Sequence, residues 1–226
     1  MLIRLSDLTV SISAPEKVLS YFRDYEIRDR QEAFGEPVHP DLEITGTDVL
    51  DIHRQAAEAL PHFRRLVCHG AVIEAFGKGI LFTAPSGTGK TTHILNWQKV
   101  FGKNVRVING DKPILSAGVA GSGEKPEVTV FGTPWMGKER MGENTSVRLD
   151  ALVLLERGKE NRIRKADPAE SLERLMQQIY IPAGRSAADE TYALTEMILR
   201  SVPFYILECT PDERSAEEAR RGIFGN

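Results

Sequence analysis

The chain opens on an alternation, with Leu2, Leu5, Leu8 and Val10 separated by polar residues, that predicts one or two short strands. The stretch RDYEIRDRQEAFGEPVHPDLEITG that follows is charged and rich in turn formers, with Pro37 and Pro40 inside it. DVLDIHRQAAEALPHF predicts a short helix that stops at Pro61. Two apolar runs come next, LVCHGAVIEAF and GILFTA, joined at Gly77-Lys78, and this pattern predicts a tight antiparallel hairpin. In TTHILNWQKVFG, Ile94, Leu95, Gln98 and Phe101 recur at helical spacing, and Gly102 stands where a left-handed cap would end the helix. VRVINGD, EVTVFGTP and LDALVLLE read as further strands.

The last third is predicted to be largely helical. Asp167 caps DPAESLERLMQQIY, with Pro168 in the first turn, Glu170 three residues past the cap, and Leu172, Leu175, Met176 and Ile179 as the apolar face. SAADETYALTEMILR repeats that logic with Ser186 and Asp189, VPFYILEC is a strand, and Thr210 is expected to cap a closing helix. Strand and helix alternate around the middle of the chain, which places the core in the α/β class, with a hairpin ahead of the central loop. Residues 1–65 are expected to form a small α+β lead-in and 66–226 the main domain.

Composition narrows the function classes. A net charge of −3 over 226 residues gives no basic field, so no nucleic acid partner is expected. No apolar run approaches a membrane span and the N-terminus alternates like a strand, so no membrane partner is expected and the location is read as cytoplasmic. Cys68 and Cys209 lie in apolar runs and are expected to be free thiols. The five histidines are scattered without metal-ligand spacing.

The chemistry concentrates in LFTAPSGTGKTTHILNW. The phosphate-loop pattern G-x-x-x-x-G-K-[ST] maps onto Ala84–Thr91, with Gly89, Lys90 and Thr91 matching and Ala84 departing. Gly87 and Gly89 allow successive backbone N–H groups of Ser86–Thr92 to turn inward toward an anion, and the start of the following helix adds its positive end. Ala84 is tolerable as long as that position does not need a positive φ. Lys90 would reach the outer phosphates and the Thr91 hydroxyl would complete the shell of a magnesium ion. Asp111, at the tip of the next strand, is the matching metal-side carboxylate, although an aspartate there is also an ordinary turn residue.

The stretch HGAVIEAFGKGILFTAPSGTGKTTH, together with the Asp111 strand, resembles HPr kinase/phosphorylase, whose loop is also similar to that of ATP-dependent phosphoenolpyruvate carboxykinase. The resemblance implies a P-loop kinase core of that type over residues 66–226, using ATP and Mg2+. It implies that His69 falls on an active-site histidine, Lys90 and Thr91 on phosphate and metal ligands, and Asp111 on the second of two adjacent acids. The first of those acids, the proton acceptor in the kinase, is replaced by Gly110. His69 and Glu139 are the candidates for taking the proton instead, while a lone histidine beside a strand is also an ordinary structural residue. In FGTPWMGKER, Trp135, Lys138 and Arg140 suit either a mobile segment that neutralises the transferring group or a basic turn around a packed tryptophan. Arg148, Arg162 and Arg185 are further candidate cations.

The expected function is a Mg-ATP-dependent kinase acting on a hydroxyl of a peptide, a small protein or a metabolite. The alternative is a nucleotide-binding regulatory module that has lost turnover with Gly110. A carboxykinase would need a second domain for which 226 residues leave no room. The related kinases form hexamers, so a homo-oligomer is an expectation as well, with its subunit number left open by this chain's shorter front end.

Overall fold

A computed structural model describes residues 1–28, 39–119, 121 and 124–225. Pro37 therefore lies outside the described residues. In chain order the elements are β1 (Leu2–Leu5), β2 (Leu8–Ser13), α1 (Glu16–Leu19), β3 (Leu42–Thr45), α2 (Val49–Ala59), β4 (Arg65–Val67), β5 (Gly70–Ala75) and β6 (Lys78–Thr83). They continue with α3 (Lys90–Phe101), β7 (Val105–Asn109), β8 (Ile114–Ala117), β9 (Val128–Phe131), β10 (Ser146–Arg157), β11 (Arg162–Lys165), α4 (Pro168–Met176), α5 (Arg185–Ser201), β12 (Phe204–Cys209) and α6 (Arg214–Phe224).

The result is a mixed α/β architecture with two sheets. β1, β2 and β3 form a small sheet, and nine strands form a large mixed one in the order β4-β8-β9-β10-β6-β5-β7, with β12 on β10 and β11 on β12. β10 is the hinge of the large sheet. Its first residues pair antiparallel with β9, while Leu149–Leu154 run parallel to β6 and Leu152–Arg157 parallel to β12. The carboxyl ends of β6, β10 and β12 therefore emerge on one edge, where open α/β sheets build their ligand sites.

Period-two alternation sorts the side chains of the large sheet. Leu81, Leu152 and Leu154 pack with α4 and α5 residues such as Leu175 and Ile198 on one face. Ile80, Phe82, Ala151 and Val153 pack with Ile94, Trp97 and Ala216 on the other. A third cluster joins the small sheet and α2 to the segment after β9, through Phe22, Ile52, Trp135 and Met136.

Several boundaries differ from the pattern, each for a physical reason. The run LVCHGAVIEAF is two strands, because β4 pairs with β8 while β5 pairs with β6, and the chain changes partner at Cys68-His69. The hairpin turn is Phe76-Gly77, with Ala75 opposite Lys78 and φ of 51° and 75° at the two turn residues, one position before the predicted dipeptide. Leu95 is exposed, and α3 instead buries His93, Ile94 and Trp97. Asp167 does cap α4, accepting from the Glu170 amide at 2.9 Å. Ser186 does not cap α5, where Gly184 is the capping residue, and Thr210 bonds Asn161 and Asp212 instead of starting α6. β3, β4, β8 and β11 have three or four residues each, too short to show a period.

Trp135 is 3% exposed and meets the His53 ring edge-on at 4.8 Å, so it is a core residue and not part of a mobile aromatic surface. Truncating it to alanine is expected to cost about 3–5 kcal/mol of stability. Urea unfolding measures this, and an unchanged midpoint would show that the indole is not packed.

Candidate active site

The loop between β6 and α3 is built on two glycines. Gly87 and Gly89 have φ of 78° and 121°, and a Cβ at either would meet nothing within 4 Å. Backbone conformation, not crowding, is what requires glycine at both positions. Ala84 has no positive φ and is fully buried, so its replacement of the usual glycine carries no strain. Gly89 caps α3 without a side chain, which leaves the first helical amides, Lys90 to Thr92, without an intrahelical partner. Ser86, Gly87 and Thr92 are exposed around this positive helix end, while Thr88 and Thr91 are half-buried.

Lys90 is 9% exposed and folds back under the loop. Its Nζ donates to the Ala84 carbonyl at 2.9 Å and lies 3.0 Å from His69 Nε2. An ammonium only donates, so Nε2 accepts and the imidazole proton sits on Nδ1. Burial first, and the neighbouring Lys90 charge second, lower the His69 pKa; Asp111, 3.6 Å away through Oδ1, works in the opposite direction. Lys90 itself is lowered by burial and raised by Asp111. His69 is therefore neutral at pH 7, with its free lone pair held by the lysine.

Where the strand changes sheets, backbone bonds fix His69. Its amide donates to the Gln178 carbonyl at 2.7 Å, and its carbonyl accepts from Thr83 Oγ1 at 2.7 Å. Gly70 N donates to the Asp111 carbonyl at 2.8 Å, which ties the aspartate to the histidine. His69 thus precedes the hairpin strand and does not lie on it. Asn109 sets the other side of Asp111. It is fully buried, its Oδ1 accepts from the amides of Asp111 and Lys112 at 2.9 Å each, and its Nδ2 donates to Thr133.

At Gly110 the backbone is crowded. A Cβ there would stand 2.9 Å from the Met136 carbonyl oxygen and 3.0 Å from that of Met141, so no acid fits without moving both segments. Glu139 and Asp111 both approach Gly137, and Thr91 and Glu139 line one narrow recess beside Gly110. Lys138 is exposed on the same segment.

The remaining cations are not gathered here. Arg140 lies over the Tyr21 ring at 4.4 Å. Arg148 pairs with Asp150 at 2.5 Å beside the start of β6, the end of the strand opposite the loop. Arg162 is on β11, and Arg185 is 4.0 Å from Asp189 on its own helix. The pattern missed one cation that does reach the loop: Arg157, at the end of β10, donates to the Gly87 carbonyl at 2.6 Å. Its signal is its place just past the apolar run LDALVLLE, where no motif marks a site. Asn109 was missed because a buried asparagine before a glycine also reads as a plain turn.

Among the described residues no three His, Cys, Asp or Glu side chains cluster as a metal cage. The oxygen donors Thr91 and Asp111 suit magnesium, which takes one or two protein ligands and completes its shell with phosphate and water. No helix of the described residues is long and apolar enough to cross a membrane. Cys68 is buried and free, its thiol pushed up to about 12 by burial; Cys209 is free and only half-buried.

No family model matches the chain, and no curated protein matches it. Solved structures do, among them the Hpr(Ser) kinase/phosphatase from Coxiella burnetii, at 12% identity over 70% of this chain and 93% of that one, with a TM-score of 0.33. The likeness is distant and says nothing about activity.

The His69 proton titration is expected below 6.5, the ordinary histidine value. Replacing Lys90 by methionine removes a like charge and is expected to move that midpoint upward. Histidine Cε1–H shifts across a pH series measure both, and a wild-type midpoint above 6.5 would contradict the buried, lysine-capped imidazole.

Proposed function

We propose that this chain is a Mg-ATP-dependent phosphotransferase that moves a terminal phosphate to a hydroxyl. The observation that supports it most is the buried Lys90 ammonium, which touches the loop carbonyl of Ala84 and His69 and is electrostatically coupled to Asp111. A cation buried at the start of a helix, beneath a glycine-built loop and beside the first-turn amides that lack an intrahelical partner, suits a polyanion.

In this reading the loop amides and Lys90 hold the outer phosphates of ATP. Magnesium held by Thr91 and Asp111 would neutralise charge on the phosphates. An acceptor oxygen attacks the terminal phosphorus as the bond to the bridging oxygen breaks, ADP leaves with that electron pair, and the hydroxyl proton passes to His69 Nε2. Phosphate draws Lys90 off His69, which frees the lone pair that takes the proton. Glu139, on the same side as Asp111, is the second candidate base, and Lys138 the cation beside the transferring group. The loop resemblance favours a serine-type hydroxyl on a peptide, protein or metabolite.

A second reading, a nucleotide-binding module without turnover, is favoured by Gly110, where even a Cβ would press on the Met136 and Met141 carbonyls. Labelled ATP with a panel of hydroxyl acceptors separates the two: binding without any transfer selects the module.

Lys90→Ala is expected to weaken Mg-ATP binding about a hundredfold, the size of a lost charge-assisted contact to phosphate, with the unfolding midpoint kept. Calorimetric titration measures it, and unaltered affinity would remove the loop from the nucleotide site. His69→Ala is expected to lower kcat about 10²–10⁴-fold with little change in ATP affinity. Equal rates in that variant would take His69 out of the proton transfer.

A further inference from the structure

The loop stands between two different spaces. On the β5 and β7 side are His69, Asp111 and the crowded Gly110 turn. On the β10 and β12 side is a groove of about 410 Å³, reached from the loop through Thr88 and bordered by Thr92 and Asn96 of α3, Arg157, Cys209 and Thr210. That volume lies within the range that encloses small organic ligands.

We infer that this groove receives the nucleoside of the donor nucleotide, with the Arg157 guanidinium against the base. The inference rests on the phosphate-transfer reading above and adds the direction in which the nucleotide lies. A triphosphate is a linear chain. If its terminal phosphate is at His69 and Asp111 and its middle is on the loop amides, its other end points toward β10 and β12.

The lining suits that end of the molecule. Arg157 and Cys209 are register partners on adjacent parallel strands, and both line the groove. Arg157 is exposed and spends one nitrogen on the Gly87 carbonyl at 2.6 Å, which anchors a planar cation at the junction of loop and groove. A guanidinium plane stacks on aromatic rings and pairs with phosphate. Asn96 uses its Nδ2 on the carbonyls of Pro211 and Asp212, at 3.0 and 2.9 Å, and so keeps its Oδ1 as an acceptor. The Thr92 hydroxyl adds a donor. Among the described residues no carboxylate lines the groove, and the nearby Asp212 carboxylate is paired with Arg214. Behind it the neutral, buried His93 accepts from Trp97 Nε1 at 3.0 Å and reaches Ser215 at 3.2 Å, which holds α6 against α3 and keeps the groove's back wall fixed.

The two thiols supply a test that does not depend on turnover. The chain has only two cysteines, and Cys68 is fully buried, so Cys209 is the one open to a thiol reagent. Labelling is followed by peptide mass spectrometry on the whole protein, with magnesium and either ATP or inorganic tripolyphosphate at concentrations that calorimetry shows to be saturating. ATP is expected to slow Cys209 labelling about tenfold or more, while tripolyphosphate, which fills the loop but has no nucleoside, leaves it within about twofold. Arg157→Ala is expected to weaken ATP about tenfold and tripolyphosphate less than about twofold, the difference expected of a stacked contact. Saturating ATP without protection would overturn the groove and leave the loop reading standing. Equal protection by both ligands, or equal weakening of both in Arg157→Ala, would overturn it as well, since the effects would then belong to the phosphates. Binding of neither ligand would overturn both the groove and the phosphate-transfer reading.

Discussion

A buried ammonium needs acceptors, and much of the site follows from how Lys90 finds them. Placed at the start of α3 and folded under its own loop, it takes the Ala84 carbonyl and the His69 ring nitrogen. That pair of contacts explains why Ala84 can replace glycine: the position is used through its carbonyl, in a conformation any residue adopts. It also fixes the histidine tautomer and lowers its affinity for a proton. An anion on the loop would offer the lysine a stronger partner than a neutral imidazole, because opposite charges add Coulomb attraction to the hydrogen bond. In the proposed transfer, the arrival of phosphate and the release of the base would be one event.

The sheet brings these groups together by changing partners at two places. The chain leaves one ladder after β4 and enters another at β5, and His69 sits in the interruption, where its side chain is free of the pleat and its backbone is held by Thr83 and Gln178. β10 likewise pairs first with β9 and then with β6 and β12, so Arg157 ends beside the loop while Arg148, nine positions earlier, faces the opposite edge. The Asp111 turn is held by the buried Asn109–Thr133 network and by tight packing around Gly110. The packing beside Asp111 also crowds position 110, where a side chain would press on the Met136 and Met141 carbonyls.

The parts of this arrangement that were legible in sequence are those with a strong local signature. Gly87, Gly89 and Lys90 between an apolar strand and a helix, the hairpin before them, and the Asp167-Pro168 helix start each carry their geometry in a few adjacent residues. What was not legible depends on pairing between distant segments. The short strands β3, β4, β8 and β11 exist because a neighbouring ladder holds them, not because of their own period. The role of Arg157 depends on β10 lying parallel to β6, and the burial of Trp135 on the small sheet that covers it. Leu95 and Gln98 satisfied the helical spacing, yet the face of α3 that is buried was decided by where α6 and the sheet lie, and Trp97 fills it.

The most direct test of this account is a crystal structure of the chain with magnesium and a non-hydrolysable ATP analogue. The account predicts Lys90 Nζ moved from Ala84 and His69 onto a phosphate oxygen, the amides around Gly87 and Gly89 turned to the same chain of phosphates, and Asp111 facing the metal. A bound nucleotide elsewhere on the molecule, with Lys90 still on the Ala84 carbonyl, would contradict it.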